Sequence, residues 1–190
     1  MKELTCFLVL IIMVVINMNY IRKQLYLSKV KSTINNREYY VRNLKDKQEA
    51  ADTLARLTKH LLQLLDSIKS DNKDGVKRLI DKFDPNQITE NIPGSMYVAY
   101  SVNKGDELSI CIREKETEKF IDMNTILFVA IHELAHIMSI STGHTKEFWN
   151  NMNYLLKAAI KIGIYNRVNY QENPVDYCGM EINNTPLNME

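Results

Sequence analysis

The stretch that most limits what this chain can become runs from Asn124 to Ile140, NTILFVAIHELAHIMSI. Its apolar residues Ile126, Leu127, Val129, Ala130, Ile131, Leu134, Ala135, Ile137 and Met138 recur at steps that cover nearly the whole circumference of a helix. A helix of that kind has no solvent face and must be enclosed by its own domain. Ile126 to Ile140 is only fifteen residues and is interrupted by three ionisable ones, so it does not read as a membrane span. Asp122 or Asn124 is available as the amino-terminal cap. The three ionisable residues are His132, Glu133 and His136, and His144 follows just past Gly143, in a chain with four histidines in all.

The rest of the chain can supply that enclosure. It has 190 residues, 45% of them hydrophobic and 25% charged, the composition of one globular domain with a real core. KQEAADTLARLTKHLLQLLDSIK places Ala50, Leu54, Leu57, Leu61, Leu64 and Ile68 at alternating steps of four and three, an amphipathic helix in which His60 is a lone packing or surface histidine. A shorter helix, KDGVKRLIDKF, ends before Pro85. The period then changes to two: MYVAYSV and ELSICIR read as strands of a hairpin turned at NKGD, with Leu108, Ile110 and Ile112 on one face. After Gly143, Thr145 can cap a helix with Glu147 in its first turn; Phe148, Met152, Leu155, Leu156 and Ala159 pack it back on the core, with Trp149 as a further anchor. The tail is irregular, with one short strand near Cys178 to Ile182. These elements predict an α+β fold with a small antiparallel sheet.

The amino terminus predicts something else. LTCFLVLIIMVVI, Leu4 to Ile16, is uncharged and extends to Ile21 if Asn17 and Asn19 lie in the interfacial zone, the short end of a bilayer span. No small-x-small cleavage site follows, so an uncleaved anchor is expected over a signal peptide. Eight Lys or Arg lie between Arg22 and Lys47 against Glu38 and Asp46, which places the folded part on the cytoplasmic side of a single-pass protein. The expected organisation is an anchor at 1–21, a basic juxtamembrane linker at 22–45 and a folded domain at 46–190. A net charge of +1 gives no support for a nucleic-acid partner. Cys6, Cys111 and Cys178 form no CxxC pair and suggest neither a disulfide framework nor a cysteine-built metal site, so reduced thiols are expected.

HELAH carries the chemistry. Residues four apart differ by about 40° around a helix, so His132 and His136 project from one face and can share an ion at about 2.0–2.1 Å. Glu133 projects about 100° away, beside the metal position and able to act on water there without being a ligand. A catalytic zinc site takes three protein ligands and keeps a position open. His144 is the candidate third ligand, because Gly143 lets the chain reverse, and Glu147 is the runner-up. The reaction such a set performs is peptide-bond hydrolysis, with Zn2+ as Lewis acid and Glu133 as general base. Tyr165, Tyr170 and Tyr177 are candidates to stabilise an oxyanion, with packing the alternative for each.

HELAH followed by GHTKEFW resembles the pattern of the WLM and SprT-like zincin metallopeptidases, HExxH, then Gly-His, then Phe or Trp. AYSVNKGDELSICIR, NTILFVAIHELAHIMSISTGHTKEFW and NPVDYCGM are more closely similar to metallopeptidases of that kind encoded by large DNA viruses and some protists, over roughly residues 38 to 188. The resemblance implies a compact zincin fold, zinc on His132, His136 and His144, Glu133 as catalytic base, and ELSICIR as the edge strand that pairs with a protein or peptide substrate. WLM and SprT-like enzymes cleave proteins crosslinked to DNA, which makes a soluble DNA–protein-crosslink protease one alternative. The other is a noncatalytic zinc-bound adaptor at a membrane surface. On the membrane reading, the full chain partitions into vesicles and a chain lacking residues 1–21 stays in the aqueous phase; equal partitioning of the two would remove the anchor.

Overall fold

The computed structural model describes residue 21 and residues 25–95, 99–102, 105 and 107–188. Five strands form the main sheet: β1 (Leu27–Lys31), β2 (Glu38–Arg42), β3 (Ile88–Glu90), β4 (Ala99–Val102) and β5 (Glu107–Ile110), in the order β1-β2-β3-β5-β4. The sheet is mixed, not antiparallel as expected. β1–β2 and β4–β5 are antiparallel, while β2–β3 and β3–β5 run parallel. A parallel neighbour requires a crossover, and α1 (Lys47–Ile68) with α2 (Val76–Lys82) provides it between β2 and β3. α3 (Met123–Met138) and α4 (Lys146–Lys161) follow, then a hairpin of β6 (Val175–Tyr177) and β7 (Met180–Ile182).

Residues 22–45 are therefore not a linker, since they contain β1 and β2. The period-two pattern is present but short: Tyr39 and Val41 are buried while Glu38 and Tyr40 are exposed. Basic residues occupy the exposed positions Lys29 and Lys31, which gave the segment the look of a solvated tract. The expected membrane anchor falls on residues 1–21, almost all outside the described residues. Among the described residues no helix is long and apolar enough to cross a membrane.

α1 buries every position of its apolar stripe, Ala50, Leu54, Leu57, Leu61, Leu64 and Ile68, and widens it with Ala51, Ala55 and Leu65. It lies against β1, β2 and β3, α3 lies against β4 and β5, and the two helices touch; α4 packs on both. α3 is enclosed as its composition demands, with Ile126 through Ile131 buried without a break. Its cap is Asp122, whose carboxylate accepts from the Thr125 amide at 3.0 Å. It ends two residues before the expected Ile140, where Ser139 turns its hydroxyl back to the Ala135 carbonyl at 2.7 Å.

ELSICIR is an inner strand at β5, flanked by β3 and β4, so the edge near α3 belongs to β4. Beyond β5, Arg113 is buried with its side chain 1% exposed. Its Nε donates to Glu90 on β3 at 2.8 Å, and its two terminal nitrogens donate to Asp46 at 2.6 and 2.9 Å. The guanidinium also lies over Phe120, 4.2 Å from the ring centre. Glu90 uses its second oxygen to accept from the Arg42 amide at 2.7 Å, so one buried ion-paired cluster joins β2, β3, the end of β5 and the start of α1.

The expectation of reduced thiols is overturned for two of the three cysteines. Cys111 and Cys178 form a disulfide across a sequence separation of 67, with Cα atoms 6.6 Å apart. No local spacing announces it, because the fold alone brings the end of β5 to the β6–β7 turn. In the chain-entropy model a closed loop of that length is worth about 4 kcal/mol. Cys178→Ser is expected to lower the unfolding free energy extrapolated from urea titration by an amount approaching that value, and a reductant should reproduce the loss in the parent chain; superimposable curves would contradict a stabilising bridge.

Candidate metal centre

α3 presents His132 and His136 one turn apart, with their Nε2 atoms 3.2 Å from each other. The loop after α3 returns His144 so that its Nε2 is 3.0 Å from that of His132. Gly143 makes the return possible at φ 79°, a left-handed conformation that side-chain-bearing residues resist. Nothing lies within 4 Å of where its Cβ would be, so the glycine is needed for the backbone and not for space. Three nitrogens bound to one tetrahedral zinc at about 2.0–2.1 Å stand about 3.3 Å apart, which the observed spacings approach. The donor set therefore fits an ion of that kind, and the ligand atoms of His132, His136 and His144 all lie within 4.8 Å of one another.

The rings are held from behind. Phe148, fully buried in the first turn of α4, has its ring centre 4.8 Å from His132, 4.3 Å from His136 and 4.7 Å from His144. Trp149 meets it edge to face, 5.0 Å from Phe148 and 5.6 Å from His144, in the anchoring role expected of it. Thr145 caps α4 by accepting from the Phe148 amide at 3.4 Å, which sets both aromatic residues in place. Burial, and then the two neighbouring imidazoles, push His132 down to about 3. At neutral pH the ring is uncharged and offers a lone pair, the form that binds metal.

Glu133 leaves the same helix toward the sheet. It is 7% exposed, and burial raises its carboxyl to about 7 against the opposing pull of the Ser101 backbone amide. A carboxyl poised there can both take and return a proton near neutral pH. Ser101 lies on β4, so the acid sits between α3 and the outer strand of the sheet. Sequence reasoning did not find this contact; the alternation of MYVAYSV marks Ser101 as a strand residue but not which edge it occupies.

The other candidates are placed elsewhere. Glu147 is not directed at the metal position: its carboxylate accepts from the Ile140 and Ser141 amides at 2.8 and 3.0 Å. Tyr165 and Tyr170 are buried against Phe128, one turn before His132, at 6.2 and 4.7 Å between ring centres. Tyr177 gives its proton to the Cys111 carbonyl at 2.7 Å. All three tyrosines thus take the packing alternative. His60 stays apart on α1, half-buried.

A small α+β domain whose enclosed helix presents two histidines, and whose next loop returns a third, brings together three ligand atoms that could hold one metal ion. The WLM domain model matches residues 32–185, and the chain belongs to the WLM domain family. A protein of Acanthamoeba polyphaga mimivirus is 33% identical over 161 residues, 82% of each chain. A protein of Invertebrate iridescent virus 3 is 37% identical over 67 residues, 35% of this chain and 42% of its own length. In fold the chain is similar to Wss1 from Saccharomyces cerevisiae, with a TM-score of 0.51 and 21% identity over 64% of this chain and 86% of that one.

His144→Ala removes one of three donors, so zinc affinity measured by chelator competition is expected to fall by more than about 100-fold, beyond what loss of an outer-shell partner causes. Unaltered affinity would take His144 out of the ligand set.

Proposed function

We propose that this domain is a zinc-dependent endopeptidase. The observation that carries the reading is the convergence of three Nε2 atoms beside a buried glutamate that touches the outer strand of the sheet. His132, His136 and His144 would hold the metal. When bound, zinc supplies a Lewis acid and lowers the pKa of water from 15.7 to about 7.

The chain's own groups do the remainder. Glu133 takes the proton of the attacking water and gives it to the departing amine; its raised carboxyl suits both directions. Among the described residues β4 is the outer strand, and along its edge an extended peptide can add as a further strand, taking main-chain hydrogen bonds. Because the Ser101 amide on that strand also bonds Glu133, a peptide seated on the edge would place a carbonyl next to the proton carrier. Phe148 keeps the three imidazoles from turning away. The substrate class is an extended protein segment. We also propose that the apolar run at residues 4–16 anchors the domain at a membrane; the flanking basic residues favour the cytoplasmic face, whereas the Cys111–Cys178 bridge favours an oxidising one.

Glu133→Gln is the decisive substitution, since it keeps the shape and removes the proton carrier. Zinc content is expected to be unchanged, while cleavage of a broad peptide library falls by about 10²- to 10⁴-fold. Cleavage at the parental rate would remove Glu133 from catalysis; a parent chain that binds zinc and cleaves nothing would favour the adaptor.

A further inference from the structure

Residues 139–145 carry His144 back to the metal position, yet the loop has little core of its own. Ile140 is 72% exposed, and residues 142–146 are exposed as well. What grips it is Glu147. One carboxylate oxygen accepts from the Ile140 amide at 2.8 Å; the other accepts from the Ser141 amide at 3.0 Å and the Ser141 hydroxyl at 2.6 Å.

A serine hydroxyl has one proton, and here it goes to the carboxylate. In its 2.6 Å contact with the Thr145 hydroxyl, Ser141 is then the acceptor and Thr145 the donor. Thr145 is the residue after His144 and accepts in turn from the Phe148 amide. A continuous run of hydrogen bonds thus leads from Glu147 across the loop to the neighbour of His144 and on to the backbone amide of Phe148. The proximal end is pinned separately, where Asn151 donates to the Ser139 hydroxyl at 2.9 Å.

We propose that Glu147 is a positioning residue that holds His144 within reach of the metal by clamping the loop, an inference that rests on the three-histidine reading of the centre. A carboxylate at a helix start complements the dipole wherever it points. This one turns both oxygens onto amides six and seven residues back, the geometry of a clamp. The Ser141 hydroxyl first, then the Ile140 and Ser141 amides, hold the carboxyl down to about 2, so it is ionised at neutral pH. Ile140 and Glu147 also border an open pocket of about 450 Å³ shared with Arg78 and Asn151, through which water can reach the groups the carboxylate now bonds.

The test is a double-mutant cycle on the full chain, read as zinc affinity by chelator competition and as the visible spectrum of the Co2+ form. Glu147→Ala is expected to weaken zinc binding by about 10- to 100-fold. Its cobalt spectrum should move toward that of His144→Ala, and Ser141→Ala should shift both in the same direction by less. Most tellingly, Glu147→Ala in the His144→Ala background should cost no further affinity. Parental affinity in Glu147→Ala, or a full additive loss in the double variant, overturns the proposal. Should Glu147→Ala fail to fold, Ser141→Ala decides alone: weakened binding supports the clamp and parental binding refutes it. A parent chain that binds no zinc removes the three-histidine reading and the clamp with it, whereas a parent that binds beside an unaffected Glu147→Ala removes only the clamp.

Discussion

Helix α3 carries apolar side chains round almost its whole circumference, and the domain is arranged to keep water from each of those sides. β4 and β5 lie against one part of it, α1 and α4 against others, and Tyr165 and Tyr170 close over Phe128 near its start. Each fully buried aliphatic or aromatic side chain is worth about 1.5–3 kcal/mol, far more than the intrinsic propensity of a segment rich in Ile and Val for a helix. The position of α3 is thus fixed by its coat. The polar strip of His132, Glu133 and His136 is where the coat is interrupted, and a site placed on such a rigid element is held more tightly than one on loops.

That strip is divided between two neighbours. The histidines face α4 and the returning loop, where Phe148 touches all three rings, while Glu133 faces the sheet and the Ser101 amide. The histidine cluster and the buried carboxyl thereby leave the helix about 100° apart, toward different neighbours. At the far end of β5, Arg113 fastens the sheet that Glu133 faces. A buried guanidinium is stable only with its partners, and removing the equally buried Glu90 typically costs about 3–5 kcal/mol, whereas the part-exposed Asp46 contributes less through solvent screening. The same short segment, Cys111 to Arg113, also carries the carbonyl that Tyr177 bonds and the cysteine joined to Cys178.

Helices were legible in the sequence because they are long enough to repeat. α1 sustains its stripe over 22 residues, and α3 and α4 announce their starts through Asp122 and Thr145. The three-residue β3 and five-residue β1 and β2 repeat too briefly, and exposed Lys29 and Lys31 outweighed buried Tyr39 and Val41. Histidine spacing pointed to the candidate metal centre, since i and i+4 on a helix is a geometric statement in itself. The surroundings were not legible: Glu147 at a helix start has an adequate local explanation, and the Ser101 contact depends on which strand takes the sheet edge. The pairing of Cys111 with Cys178 depends wholly on tertiary proximity.

The bridge between those cysteines has a topological result. His132, Glu133, His136 and His144 all lie between its two ends, so the whole centre sits inside one covalently closed ring of backbone. A single nick in the exposed stretch around Thr142 would open that ring without parting the molecule. On a non-reducing gel the two fragments would travel as one band, and only thiol treatment would separate the half bearing His132 from the half bearing His144.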